Sequence, residues 1–372
     1  MIYADNAATT KLDKDAFVAM IPWLQDEFGN ASQPYSFARK PKKAIAEARA
    51  LIASCIGAEP GEIFFTSGGT ESDNWAIMGS ALGNLEKKTT VTSMIEHHAV
   101  LRTCEAIERL GYPVAYLDVT QDGIVTAEAL ESIITNRTRL VSVMYANNEI
   151  GSIQPIKKLA EIAHVHGAIF HTDAVQAIGH VPIDVKELGI DMLSASAHKF
   201  NGPKGIGFLY IRKGTCISPY ANGGAQESGL RAGTENVAGI VGMATALKKN
   251  CDEMSDIADR LRKIEDHFLE ILDQAHITYI RNGADNRIPG NVSVSIKDVS
   301  GEMLLHRLDL KGIAISTGSA CDSVDTQISH VIQAIRVPAE YAEGTIRVSF
   351  GRENTETDAD TIAKALVQIL TK

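Results

Sequence analysis

Three side chains in this sequence have types and settings suited to covalent or acid–base chemistry. Lys199 lies in Ser194-Ala-Ser-Ala-His-Lys-Phe-Asn-Gly-Pro-Lys-Gly-Ile-Gly207, where a β-prone run gives way to small residues and the chain then breaks at Gly202-Pro203. A lysine held at such a strand end is partly desolvated, which lowers its pKa and frees the amine for Schiff-base formation; an exposed loop lysine has the same local signature. Upstream, Asp173 follows the apolar run Ala168-Ile-Phe170 within His171-Thr-Asp-Ala-Val-Gln176. A carboxylate therefore also stands at a strand end, where ligands of α/β sheets gather. Cys321, in Ser316-Thr-Gly-Ser-Ala-Cys-Asp-Ser-Val-Asp325, sits on a loop of glycine and small side chains that can carry a thiol into and out of a cleft.

The elements that must position these groups follow from periodicity. Helical spacing over 13–28 ends at Gly29-Asn30, and a second helix over 43–56 is closed by Gly57. The run Glu62-Ile-Phe-Phe-Thr66 predicts a strand that turns through Ser67-Gly-Gly-Thr-Glu-Ser-Asp-Asn74 into a helix. Two glycines before a helix start, with its unpaired N–H groups, make a phosphate cradle at Gly69 and Thr70, although a plain N-cap at Ser67 or Thr70 has the same spacing. Further strands are expected near 90–96, 139–144, 168–170, 191–193 and 206–211, with helices between them, and two of these strands end in His97-His98 and in Asn147-Asn148. Helices over 235–272 then lead to a smaller α+β lobe. Strand, helix, strand in repetition gives a mostly parallel sheet covered on both faces.

Composition sets the limits. With 372 residues, 45% hydrophobic, 6% aromatic and 30 glycines, the chain fits an α/β enzyme of one large and one smaller domain. The 36 basic residues are spread among 46 acids for a net charge of −10, which argues against nucleic-acid binding. Neither a membrane-spanning run nor a signal peptide is read, so a cytoplasmic location is expected. Cys55, Cys104, Cys216, Cys251 and Cys321 show no CxxC spacing, so neither disulfides nor a metal site is expected, and the first four are read as small apolar packing residues.

Lys199 and Asp173, a helix-sized connection apart, resemble the core of the class V, fold-type I pyridoxal phosphate enzymes, and more narrowly the NifS/IscS-like cysteine desulfurases. The resemblance runs almost end to end. It implies an N-terminal segment over 1–12 near the active site, a large cofactor-binding domain over 13–255 and a small C-terminal domain over 256–372 carrying the cysteine loop. It implies that Lys199 holds pyridoxal 5'-phosphate, that Asp173 keeps the pyridine nitrogen protonated, that His97 stacks on the ring, and that Asn148 and Gln176 contact its phenolic oxygen. Gly69, Thr70, Ser196 and His198 join as cofactor contacts. Thr234, in Asn222-Gly-Gly-Ala-Gln-Glu-Ser-Gly-Leu-Arg-Ala-Gly-Thr-Glu-Asn236, would reach the phosphate of a neighbouring subunit, and Arg347 would bind the substrate carboxylate beside Asn148. Ala225 and Ser228 stand where relatives have glycine and arginine. The implied reaction converts L-cysteine to alanine with a persulfide on Cys321. That persulfide would pass to an acceptor protein, either an iron–sulfur scaffold or a thiolation protein, and is where an iron–sulfur cluster would be met. Selenocysteine lysis, transamination on the same fold, and a sulfur-relay scaffold without turnover remain the alternatives.

Overall fold

The computed structural model describes residues 1–83, 87–317 and 328–371. Its centre is a seven-stranded sheet. In spatial order the strands are Ile63–Thr66, Gly207–Ile211, Met192–Ser196, Ile169–Asp173, Thr138–Ser142, Thr89–Ser93 and Val114–Leu117. Only Gly207–Ile211 runs against the others, pairing antiparallel with both neighbours. The strand Thr138–Ser142 is buried at every residue, its polar Thr138, Arg139 and Ser142 included, as expected of a central strand whose two faces are both covered. The covering helices are amphipathic. In His98–Arg109 the buried residues Ala99, Val100, Thr103, Cys104 and Ile107 fall on one face at helical spacing.

This topology puts Thr66, Ser93, Ser142, Asp173 and Ser196, the last residues of five parallel strands, along one edge of the sheet. Gly69, His97, Asn148, Asp173 and Lys199 lie at this edge or on the segments that leave it, and Arg347 comes from the smaller sheet.

A second hydrophobic cluster, including Phe268, Val292, Leu304, Ile346 and Leu366, is built by the helices Met254–Gln274, Gly301–Asp309 and Glu356–Leu370 on a three-stranded antiparallel sheet. The N-terminal residues join the two parts. Ile2–Tyr3 pairs in parallel with Ile313–Ala314, and eight residues later the Thr10 N–H donates to the carbonyl of His198 at 2.8 Å.

Several boundaries differ from the sequence expectation. The first helix is Lys14–Gln25 rather than 13–28, with Asp13 as its N-cap and its last turns closed onto the Pro22 carbonyl. The helix after the glycine turn begins at Gly69, with Gly68 before it and no side-chain cap, so neither Ser67 nor Thr70 caps it. The 235–272 helices are two, Val237–Asp252 and Met254–Gln274, broken at Glu253. Cys104 is buried and Cys55 and Cys251 are half-buried, but Cys216 is exposed instead of packed.

Candidate active site

The strand Met192–Ser196 ends in a short helical turn, Ala197–Lys199, because Gly202 and the following proline stop the chain from continuing as strand. Lys199 is thereby aimed into a cavity of about 400 Å³ at the carboxyl edge of the sheet. Its Nζ donates to the carbonyls of Ala7 at 2.6 Å and Ala8 at 2.8 Å. The opening segment, assigned no chemistry from its sequence, thus holds the amine with two backbone oxygens.

Asp173 enters the same cavity from the next strand, 5% exposed, with Oδ1 accepting the Val175 N–H at 2.9 Å. Burial lifts its carboxyl to about 6, against the pull of that N–H and of the Lys199 charge. Two further buried acids stand behind it. Asp73 lines the cavity with Oδ1 lacking a hydrogen-bond partner, and burial and Asp173 raise its carboxyl well above the usual range. Glu96 accepts from Ser93 Oγ and the Met144 N–H, yet burial still raises it to about 8. Neither acid was singled out from sequence. Asp73 could have been, since it falls in the first turns of the helix that starts the glycine cradle.

His97 is the N-cap of His98–Arg109, its Nδ1 accepting the Ala99 N–H at 3.1 Å, so the proton of the neutral ring resides on Nε2. Burial, then the Lys199 and His98 charges, lower its pKa to about 4. It is at once a cap and a cavity residue. His198 also lines the cavity, with Nδ1 bonded to Thr9 Oγ1 at 3.1 Å, and burial with Lys199 and Lys204 lowers it to about 4.

The asparagine pair divides by role. Asn147 folds its side chain into the turn, accepting from the N–H groups of Glu149 and Ile150 and donating to the Ile95 carbonyl, whereas Asn148 lines the cavity. The Asn148 carbonyl accepts from Arg347 Nη1 at 2.9 Å. Arg347, 3% exposed on the strand Thr345–Ser349, also meets Asp5 Oδ1 at 2.7 Å, and its Nε lacks a partner. Asp5 is a second contribution of the N-terminal segment that sequence reasoning missed. Its signal was a lone acid in a small-residue run.

Gly69, Thr70, Gln176 and Ser196 complete the lining. Gln176 Nε2 donates to the Ala7 carbonyl at 3.0 Å. Gly68 has φ 152° and ψ −175°, a conformation open essentially only to glycine, and this lets the strand turn directly into the helix. Thr234 is not in this cavity: it is exposed and lines a separate cleft of about 140 Å³ with Ser67, Glu227 and Arg231. Cys321 lies outside the described residues. Ser316, from which its loop departs, exchanges two backbone hydrogen bonds with Arg347 at 2.7 and 3.1 Å. Among the described residues no group of three or more His, Cys, Asp or Glu could hold a metal ion, and no helix is long and apolar enough to cross a membrane.

The aminotransferase class-V family model matches residues 2–362. The chain is 48% identical over 373 residues to a cysteine desulfurase IscS of Dictyoglomus turgidum, covering 100% of this chain and 95% of the relative. It is 49% identical to a cysteine desulfurase IscS of Methanosarcina thermophila, covering 100% and 92%. Among solved structures, a NifS-like protein superimposes with a TM-score of 0.94 at 37% identity, covering 100% of this chain and 99% of that one. A structure described as SspA in complex with cysteine gives 0.85 at 36%, covering 94% and 99%. The chain belongs to the aminotransferase class-V family, among its cysteine desulfurases.

Proposed function

We propose that the chain is a pyridoxal 5'-phosphate-dependent enzyme that takes sulfur from L-cysteine, releases L-alanine and carries the sulfur as a persulfide on Cys321. The observation that carries this reading is the cavity shared by Lys199, Asp173 and Arg347: an amine and an acid from neighbouring strand ends, and a guanidinium brought in from the smaller sheet. The residues present fit the cofactor. A glycine turn and helix start suit its phosphate, and the buried Asp173 suits a protonated ring nitrogen.

When bound, the cofactor supplies an electron sink that weakens bonds of the attached amino acid. The chain's own residues do the rest. Asp173 would hold the ring nitrogen, His97 would pack against the ring, and Asn148 and Gln176 would meet its oxygen. Gly69, Thr70, Ser196 and His198 would hold the phosphate. Arg347 orients the substrate carboxylate, while Lys199 Nζ and His97 Nε2 are the groups in position to move protons. In the net reaction the cysteine C–S bond breaks, an S–S bond forms to the Cys321 sulfur, and the freed carbon takes a proton to become the alanine methyl.

In this reading residues 13–255 form the cofactor-binding domain and 256–372 a smaller domain that carries the thiol loop, while 1–12 line the site. The molecule is a cytoplasmic homodimer, with Thr234 reaching the partner's phosphate, and it hands sulfur to an acceptor protein. The test is turnover of L-cysteine with reductant present. Alanine and sulfide should appear in equal amounts. Borohydride should attach cofactor covalently to the native protein and not to Lys199→Ala, and Cys321→Ser should keep the cofactor but lose sulfide release and persulfide labelling. A Cys321→Ser enzyme releasing sulfide at the native rate overturns the mechanism.

A further inference from the structure

The helix Gly69–Leu82, whose first N–H groups face the phosphate position, carries an acid in its first turn. A fixed carboxylate there opposes anion binding, because two anions compete for the same donors and repel each other in a poorly solvated cleft. In this structure the Glu71 carboxylate is turned back. Its Oε2 accepts the Ser67 N–H at 3.0 Å, and both oxygens receive the fork of Arg231, from Nε at 2.8 Å and Nη2 at 3.2 Å. Both side chains are largely buried, so the pair is a bidentate contact with little solvent screening. Burial works against ionisation of Glu71, and Arg231 and Ser67 outweigh it, holding the carboxyl below its usual range. Glu71 shares a cleft with Gly69, Thr70, Ser196 and His198, whereas Arg231 opens onto the neighbouring cleft of Thr234. The guanidinium therefore reaches the phosphate position through the acid.

Resting on the cofactor reading above, we propose that Arg231 is a positioning residue for the cofactor phosphate, acting through Glu71: it pins that carboxylate against the Ser67 N–H, away from the N–H groups of Gly69 and Thr70, so that the cleft accepts a dianion. The consequence is specific to the phosphate. It also predicts that Glu71 is dispensable once Arg231 is absent.

The experiment measures binding of pyridoxal 5'-phosphate and of pyridoxal, which lacks the phosphate, to the cofactor-free protein by absorbance titration. Arg231→Gln should bind pyridoxal 5'-phosphate about tenfold more weakly, with pyridoxal nearly unchanged. Glu71→Gln alone should bind at least as well as the native protein, and the double variant should recover to within about threefold of it. A double variant as weak as Arg231→Gln, no loss in Arg231→Gln, or equal losses for both ligands overturns the proposal. Failure of the native protein to bind pyridoxal 5'-phosphate would instead overturn the cofactor reading.

Discussion

Asp173 gives up its solvent on folding and receives one backbone N–H in exchange, so its carboxyl titrates near 6 with burial as the main cause. Between the ordinary Asp range and about 6, the folded cofactor-free protein holds a proton that the unfolded chain has released, and its stability falls as pH rises through that window. A cation at the ring nitrogen favours the ionised carboxylate, so cofactor affinity has the opposite sense and is lost as pH falls through about 6. The expected loss is about tenfold per unit of pH below that point, on top of the phosphate's own titration. Asp173→Asn should show only the phosphate contribution, and parallel profiles for the two proteins would remove Asp173 from the ring nitrogen. Lys199 and Asp173 were legible in the sequence because each is an ionisable residue following an apolar strand. The groups that hold them were less so. The carbonyls of Ala7 and Ala8 carry no side-chain signature, and their partner lies about 190 residues away. Residue type and spacing alone do not divide Asn147 from Asn148; the family resemblance singles out Asn148, and the folded turn shows why, since the Asn147 amide is consumed by its own backbone.

The loop 222–236 is fastened as an element, by ion pairs at two points. Besides Arg231 with Glu71, Arg49 donates to both oxygens of Glu227 at 2.7 Å, packs 4.4 Å over the Phe65 ring, and shares that carboxylate with the Phe65 N–H. The fastening holds two non-glycine residues in left-handed conformation, Glu227 at φ 45° and Ser228 at φ 58°. Ser228 therefore occupies a position that glycine would fill with less strain. Ser228→Gly should raise unfolding stability by about 1 kcal/mol in urea titration, and a loss would contradict the strained turn. Arg49→Met strands the Glu227 carboxylate, which is 4% exposed, and should cost about 2–4 kcal/mol. At this scale the sequence was informative where elements are long and apolar and poor where they are short. The edge strand Val114–Leu117, only partly buried, and the helix Ala127–Ile133 escaped it, as did the pairing of Ile2–Tyr3 with Ile313–Ala314, which joins the two ends of the chain.

Across the described residues, three hydrophobic clusters satisfy most large apolar side chains, yet residues 17–37 leave Phe17, Val18, Leu24, Phe28, Tyr35 and Phe37 exposed. Phe28 and Phe37 stack edge to face 5.2 Å apart, and a concentration of aromatic surface of this kind marks an interface. The same segment abuts the loop that carries Thr234. Ser32 Oγ donates to the Glu235 carboxylate at 3.2 Å and accepts from Gln226 Nε2 at 3.3 Å. A two-fold axis through this region would bury the aromatics of both copies and carry each Thr234 toward the other copy's site, as the exposed position of Thr234 requires if it is to meet a phosphate at all. Phe28→Glu combined with Phe37→Glu places charges on that face without touching either core. The double variant should sediment as a folded monomer at micromolar concentration, where the proposed dimer predicts that the native protein sediments as two copies, and it should bind pyridoxal 5'-phosphate more weakly if the contribution of the neighbouring Thr234 is gone. Since a hydroxyl donating to a charged phosphate is worth roughly 1.5–3 kcal/mol, the loss through Thr234 should be about ten- to a hundredfold, and Thr234→Ala in the dimer should reproduce it. A double variant that stays dimeric moves the interface elsewhere, and a monomer with native cofactor affinity removes Thr234 from the phosphate.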